Sequence, residues 1–168
     1  MPVQTANLTN ATSIDGGAYS SVARKSDGSV WAWGWNEYGQ LGNGNRDAQL
    51  APVQVAGSLS VASGPGQLAA HALNALAVKS DGTVVAWGDD YYGQLGDTTT
   101  TNRSTPSLVH GPAADGFLDG ASQVASGADH SVALRSDVTA ADLAPRTPTV
   151  SSATAAAPIG RRRYRPRA

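Results

Sequence analysis

Between Ser13 and Val55 the apolar positions fall in four short runs, SID at Ser13, YSSVAR at Tyr19, SVWAW at Ser29 and PVQV at Pro52, separated by stretches rich in Gly, Asn, Asp and Ser. Short runs divided by turn residues are the pattern of an antiparallel meander; a helix would show an apolar stripe recurring every three to four positions. Asp27 and Gly28 divide the second run from the third and supply a tight hairpin turn. In SVWAW both alternating sets are apolar or small, with Val30 and Ala32 on one face and Trp31 and Trp33 on the other. Such a strand is expected to be covered on both sides.

The pattern then returns. SSVARKSDGSVWAWG at Ser20 comes back as NALAVKSDGTVVAWG at Asn74, and HSVALRSD at His130 opens the phrase a third time. The Ser-Asp markers at Ser26, Ser80 and Ser136 are spaced by 54 and 56 residues. Discounting seven extra residues around PGQLAAH and nine near HGPAADGFLDG leaves one period of 47 in both intervals. A fixed period of this length marks a repeat architecture. A four-stranded sheet, apolar on both faces and repeated along the chain, is the blade of a β-propeller. The expected fold is therefore all-β, a partial β-propeller of four-stranded antiparallel blades over residues 13–137. Residues 1–12 read as an N-terminal extension and 138–168 as a disordered tail.

The phrases SDGSVWAWGWNEYGQLGNG, SDGTVVAWGDDYYGQLGD and VASGADHSVALRSD are similar to the repeat of the regulator of chromosome condensation family, and the run WG…GQLG is the specific part of the match. The resemblance covers residues 13–137. It implies a seven-bladed propeller whose common task is protein binding, so the function expected is a non-enzymatic protein-binding module. Guanine-nucleotide exchange on a small GTPase is the alternative that the same resemblance implies. Two complete units and the opening of a third are present, and Val138 stands where the earlier units have Gly28 and Gly82. The chain accordingly reads as a fragment of a longer propeller, with a truncated or frame-shifted, non-functional product or a natural basic tail as the competing explanations of its end.

Charge separates the two regions. Residues 1–137 hold 6 Lys/Arg against 12 Asp/Glu, whereas residues 138–168 hold 6 Arg and 1 Asp. The tail is rich in Ala, Pro, Thr and Arg, and such a composition buries too little apolar surface to offset the entropy of ordering. Its cluster GRRRYRPR at Gly160 admits weak, salt-sensitive binding to nucleic acid. No apolar run approaches the roughly 18 residues of a membrane helix, and MPVQTANLTNATS has neither a basic start nor an apolar segment, which leaves a cytoplasmic location open. Cysteine is absent, so disulfides and thiolate zinc sites are excluded.

Catalytic and metal chemistry find little support. GQLG lacks the lysine and following helix of a phosphate loop; its role is read as structural, Gly39 and Gly42 shaping a tight loop over Leu41, with Leu95 the counterpart. His130 is placed at a turn between first and second strands, and His71 and His110 lie in the two insertions without metal or charge-relay spacing. Asp89 and Asp90 lack the calcium-loop pattern and are read as a solvated loop. No cofactor is expected.

What remains is a rim. In a four-stranded meander the loops joining strands one to two and three to four emerge on the same edge, which would put GAYS and GPGQLAAH beside WNEYGQLG and DDYYGQLG. The two GQLG loops differ mainly in Trp35-Asn36-Glu37-Tyr38 against Asp89-Asp90-Tyr91-Tyr92. Variation inside a rigid frame points to a displayed surface, and Trp and Tyr are frequent interface anchors. Trp35, Glu37, Tyr38, Asp89, Asp90, Tyr91 and Tyr92 are the candidate partner-binding residues, and their acidic members favour a basic patch on another protein. The competing reading packs these aromatics onto the neighbouring blade. The uncovered faces of the end blades are a second candidate surface, for self-association.

Overall fold

The computed structural model describes residues 1, 4–5, 7–111 and 116–143, and these form strands and turns without helix. The first sheet is an antiparallel meander of β1 (Ala11–Gly16), β2 (Ser20–Lys25), β3 (Val30–Gly34) and β4 (Gln49–Gln54). The second repeats it with β5 (Leu68–His71), β6 (Asn74–Val78), β7 (Val84–Gly88) and β8 (Arg103–Leu108). The third holds β9 (Ala121–Ser126), β10 (Ser131–Arg135) and β11 (Ala140–Asp142).

The three sheets pack face on face as successive blades. One apolar cluster joins Val22, Val30, Ala32, Leu41 and Val55 of the first blade to Leu68, Ala77, Val85 and Trp87 of the second. Another joins Leu76, Val78, Val84, Ala86, Leu95 and Val109 of the second to Val124, Ala133, Ala141 and Leu143 of the third. Among the described residues only the central blade is therefore covered on both sides: β7 is buried throughout, while in β3 Val30 and Ala32 are buried and Trp31 and Trp33 remain half-exposed. The expectation that SVWAW is covered on both faces fails for the first blade because no blade precedes it among the described residues.

Three boundaries differ from those read in the sequence. β1 begins at Ala11, inside the stretch taken as an extension, and pairs Ala11 with Lys25 across a bulge. The stretch LAAH is no rim loop: it is β5, with Leu68, Ala69 and Ala70 buried. Gly64 therefore is not the counterpart of Gly17; the extra residues lie in the connection from β4 to β5, and the strands themselves keep the 54-residue offset, Ile14 pairing with Ala23 as Leu68 pairs with Ala77.

The third difference is β11, which lies within the stretch assigned to the tail. Ala141 pairs with Ala133 and is buried, and Leu143 is buried one position beyond the strand. Only the two inward positions need be apolar there, too weak a signal for composition to show. The turn that feeds β11 is held as in the other units. Asp137 accepts bonds from the amide and hydroxyl of Thr139, as Asp27 does from Ser29 and Asp81 from Thr83, and the carboxyl groups of all three aspartates are held below the ordinary value, chiefly by hydrogen bonds from neighbouring side chains. Val138 takes the glycine's place at φ +61°. Residues 144–168, with the arginine cluster, lie outside the described residues.

Candidate functional site: the rim between the first two blades

The rim is framed by the glycine of each Trp-Gly pair. Gly34 and Gly88 have φ of +111° and +103°, and a Cβ there would lie 2.4 Å from the Tyr19 carbonyl oxygen and 2.3 Å from that of Leu73. No side chain fits, so the backbone passes close enough for the Trp35 amide to donate to Tyr19 O and the Asp89 amide to Leu73 O, both at 2.9 Å. These bonds tie the long loop after the third strand to the short turn after the first, and so put both kinds of loop on one edge.

Each long loop then turns around a buried polar side chain. Asn36 accepts the Leu41 amide at 2.9 Å, and its Nδ2 donates to the Asn45 and Asp47 carbonyls, each at 3.1 Å. Asp90 occupies the same place in the second loop and accepts the Leu95 amide at 2.9 Å. Fully buried, it is neither a displayed contact nor part of a solvated loop: the loop folds over whichever residue supplies this acceptor. Burial pushes its carboxyl up to about 6, with the Leu95 amide opposing and nearby Asp97 adding to the rise. Burial would raise Asp97 as well, but hydrogen bonds from Thr99 and from Arg103, at 2.7 and 2.6 Å, outweigh it and hold Asp97 below the ordinary aspartate range.

The glutamine of GQLG braces the aromatic window. Gln40 Oε1 accepts the Tyr38 amide at 3.0 Å and Gln94 Oε1 accepts the Tyr92 amide at 2.9 Å, while Gln94 Nε2 also donates to Asp89 Oδ2. In the first loop, where Trp35 replaces that aspartate, Gln40 Nε2 is buried without a partner. Leu41 and Leu95 are fully buried beneath the loops, as the structural reading of GQLG requires.

The remaining candidates divide by role. Trp35 is half-buried with edge-on contacts to Tyr19 and Tyr38 at 5.6 and 5.5 Å, an aromatic cluster within the first blade's own rim. Glu37 is exposed. Tyr91 and Tyr92 are 72% and 52% exposed, and their rings meet edge-to-face at 4.8 Å. Tyr38, Asp89, Tyr91 and Tyr92 are brought together as walls of an open cleft of about 520 Å³ between the two long loops. Arg46, Leu73 and Thr100–Asn102 complete the lining. Those were not legible beforehand: Arg46 and Asn102 lie beyond the compared windows, and Leu73 enters only because LAAH is a strand ending at this edge.

The histidines take no part. His130 lies exposed over Gly127, the turn being closed by its main-chain carbonyl, which accepts the Gly127 amide at 2.8 Å; His71 ends β5, and His110 packs on Phe117. Among the described residues no group of three or more His, Cys, Asp or Glu side chains is placed to hold a metal ion, and no helix is long and apolar enough to cross a membrane.

Four-stranded antiparallel sheets stacked face to face, with a glutamine-braced loop on one edge, define a partial β-propeller of the repeat type. The profile described as "Regulator of chromosome condensation (RCC1) repeat" matches residues 27–69 and 81–134, and a second RCC1 repeat profile matches residues 11–40. The chain belongs to the RCC1 repeat family. It is 40% identical over 126 residues to the E3 ubiquitin-protein ligase HERC2 of Homo sapiens, covering 71% of this chain and 2% of that protein. It is 36% identical over 105 residues to the ultraviolet-B receptor UVR8 of Arabidopsis thaliana, covering 61% and 23%. Human WBSCR16 shares the fold with a TM-score of 0.66 at 24% identity, over 76% of this chain and 31% of that one. Yeast RCC1 (Prp20), solved with Kap60 bound, does so with a TM-score of 0.65 at 19% identity, over 81% and 32%. The chain thus spans less than a third of each of these relatives.

Proposed function

We propose that the chain is a non-enzymatic protein-binding module and that the rim cleft between the first two blades is its contact surface. The observation that carries this is the Tyr91–Tyr92 pair, exposed to solvent yet with rings meeting at 4.8 Å on the wall of a cleft whose two loops are braced by the hydrogen bonds that Gln40 and Gln94 accept. Rigid aromatic side chains contribute large contact area at small entropic cost, which is why such residues dominate interface energies. Asp89 on the wall and Glu37 nearby favour a basic group on the partner, with Arg46 limiting how many the cleft accepts.

Relatives support binding as the common theme: yeast RCC1 is solved in a complex with Kap60, and Prp20p is described with binding properties toward Gsp1p and histones. Nothing among the described residues favours guanine-nucleotide exchange over binding alone. The test is a partner recovered by pull-down with the full chain and then titrated against variants. Tyr91→Ala/Tyr92→Ala lowers affinity by about tenfold or more and leaves the β-type circular-dichroism spectrum intact. Unchanged affinity would reject the cleft as the contact surface.

A further inference from the structure

Among the described residues the blade interface occurs twice, and the first and third blades each leave one face of it uncovered. On the side of each blade that faces its predecessor, one row of cross-strand partners runs Leu68–Ala77–Val85–Leu108 in the second blade, packed against the first. The same row in the first blade is Ile14–Ala23–Trp31–Gln54, and no blade covers it among the described residues: Ile14 is 74% exposed and Trp31 half-exposed, while the small Ala23 between them is buried. Trp33 lies on this face too. Its counterpart Trp87 is fully buried and donates its indole N–H to the Gln40 carbonyl at 3.0 Å, whereas the Trp33 indole has no hydrogen-bond partner among the described residues.

The opposite side shows the complementary half. Leu76, Val78, Val84 and Ala86 of the second blade are buried against the third. In the third blade the matching positions are Val132, Leu134, Ala140 and Asp142, all exposed, with Val132 and Leu134 at 37% each. The alternation along β10 is clean, Ser131 and Ala133 buried and Val132 and Leu134 open.

We propose that these two faces bind each other between copies: the Ile14–Trp31–Trp33 face of one chain docks on the Val132–Leu134–Ala140 face of a second copy, continuing the blade stack from chain to chain. Val132, Leu134 and Ala140 hold the register in which Leu76, Val78 and Val84 pack within the chain, so among the described residues the strands of the third blade present the central part of the inner interface, with Asp142 in place of Ala86 and without the fourth strand and GQLG loop that complete it. The contact is heterologous, so it closes a ring if the rotation per copy permits and otherwise extends as an open series. It uses none of the rim cleft residues.

Sedimentation velocity of the full chain over a wide concentration range tests this through two single variants. The native chain associates reversibly. Ile14→Glu and Leu134→Glu each bury a charge in every possible contact and weaken association by about tenfold or more. Mixed, they regain a one-to-one complex, because an intact first-blade face and an intact third-blade face are both present on different chains. Ala140→Glu serves as the third-blade variant if circular dichroism shows Leu134→Glu unfolded. A native chain that stays monomeric at all concentrations would overturn the proposal and leave the faces to a different repeat-bearing protein. Association that survives in both third-blade variants but not in Ile14→Glu would overturn it in favour of pairing between like faces.

Discussion

The indole nitrogen of Trp87 donates to the main-chain carbonyl of Gln40 at 3.0 Å, fastening the third strand of the second blade to the GQLG loop of the first. The loop accommodates the ring because Gly42 lies against it, where a Cβ would come within 2.8 Å of the indole. In the third blade the position of Trp87 is taken by Leu143, which lies against Gly96 of the second loop.

Trp87→Phe should therefore lose both a buried hydrogen bond and part of the ring's packing, about 2–3 kcal/mol in urea unfolding. Trp33→Phe, at the matching position without a hydrogen-bond partner among the described residues, should cost less than about 1 kcal/mol under conditions where the chain is monomeric. Equal losses would show that the interface contact is not what stabilises the tryptophan.

Asp90 should make stability depend on pH. Its folded value of about 6 exceeds the ordinary 3.8, so the protonated carboxyl favours the folded state. That contribution is fully present below about pH 3.8 and is lost as pH rises through 6. Asp90→Asn supplies the amide that Asn36 supplies in the first loop, keeps the acceptor for the Leu95 amide, and should raise stability at pH 7 by on the order of 1–3 kcal/mol while changing it little at pH 4. Urea midpoints at the two pH values check the sign.

Gly88→Ala would drive a methyl group to 2.3 Å from the Leu73 carbonyl oxygen at a backbone φ of +103°. A loss of about 2–4 kcal/mol is expected from the clash and the strain together. The breach should also loosen the rim, so hydrogen exchange at the Asp89 amide should rise along with the fall in melting temperature.

Val138 is 87% exposed and holds φ +61°, a conformation that costs a β-branched residue about 1–2 kcal/mol. Val138→Gly restores the residue of the first two turns and should raise the melting temperature, by a net of roughly 0.5–1 kcal/mol after the entropy of the added glycine. A fall in melting temperature would contradict the turn geometry assigned to the third blade.

Much of the fold and the rim is local in origin, and the sequence determined it alone. Asp-Gly turns, the Trp-Gly step and the GQLG loop each depend on residues within a few positions of one another, so the pattern of antiparallel meanders, the repeat family and the placing of Tyr91 and Tyr92 on the loop before GQLG were legible without coordinates, whereas the Asp137-Val138 turn, with valine at the glycine's position, read as the end of the pattern. LAAH misled because its glycine-rich approach resembles that of a turn, and its strand identity comes from the burial of Leu68 and Ala70 against the first blade. Ala141 and Leu143 were lost in a composition dominated by small and polar residues, although two inward positions suffice to extend a sheet. Whether a residue is covered was decided only by the tertiary structure. Asn36 and Asp90 hold one loop position, but only the fold makes the second a buried charge. Trp33 and Trp87 sit in the same Ala-Trp-Gly phrase, at the same register against β2 and β6, yet one is half-exposed and the other fully buried. The covering surface belongs to the neighbouring blade, about fifty residues away in the chain, and no pattern within a blade records whether a neighbour is there.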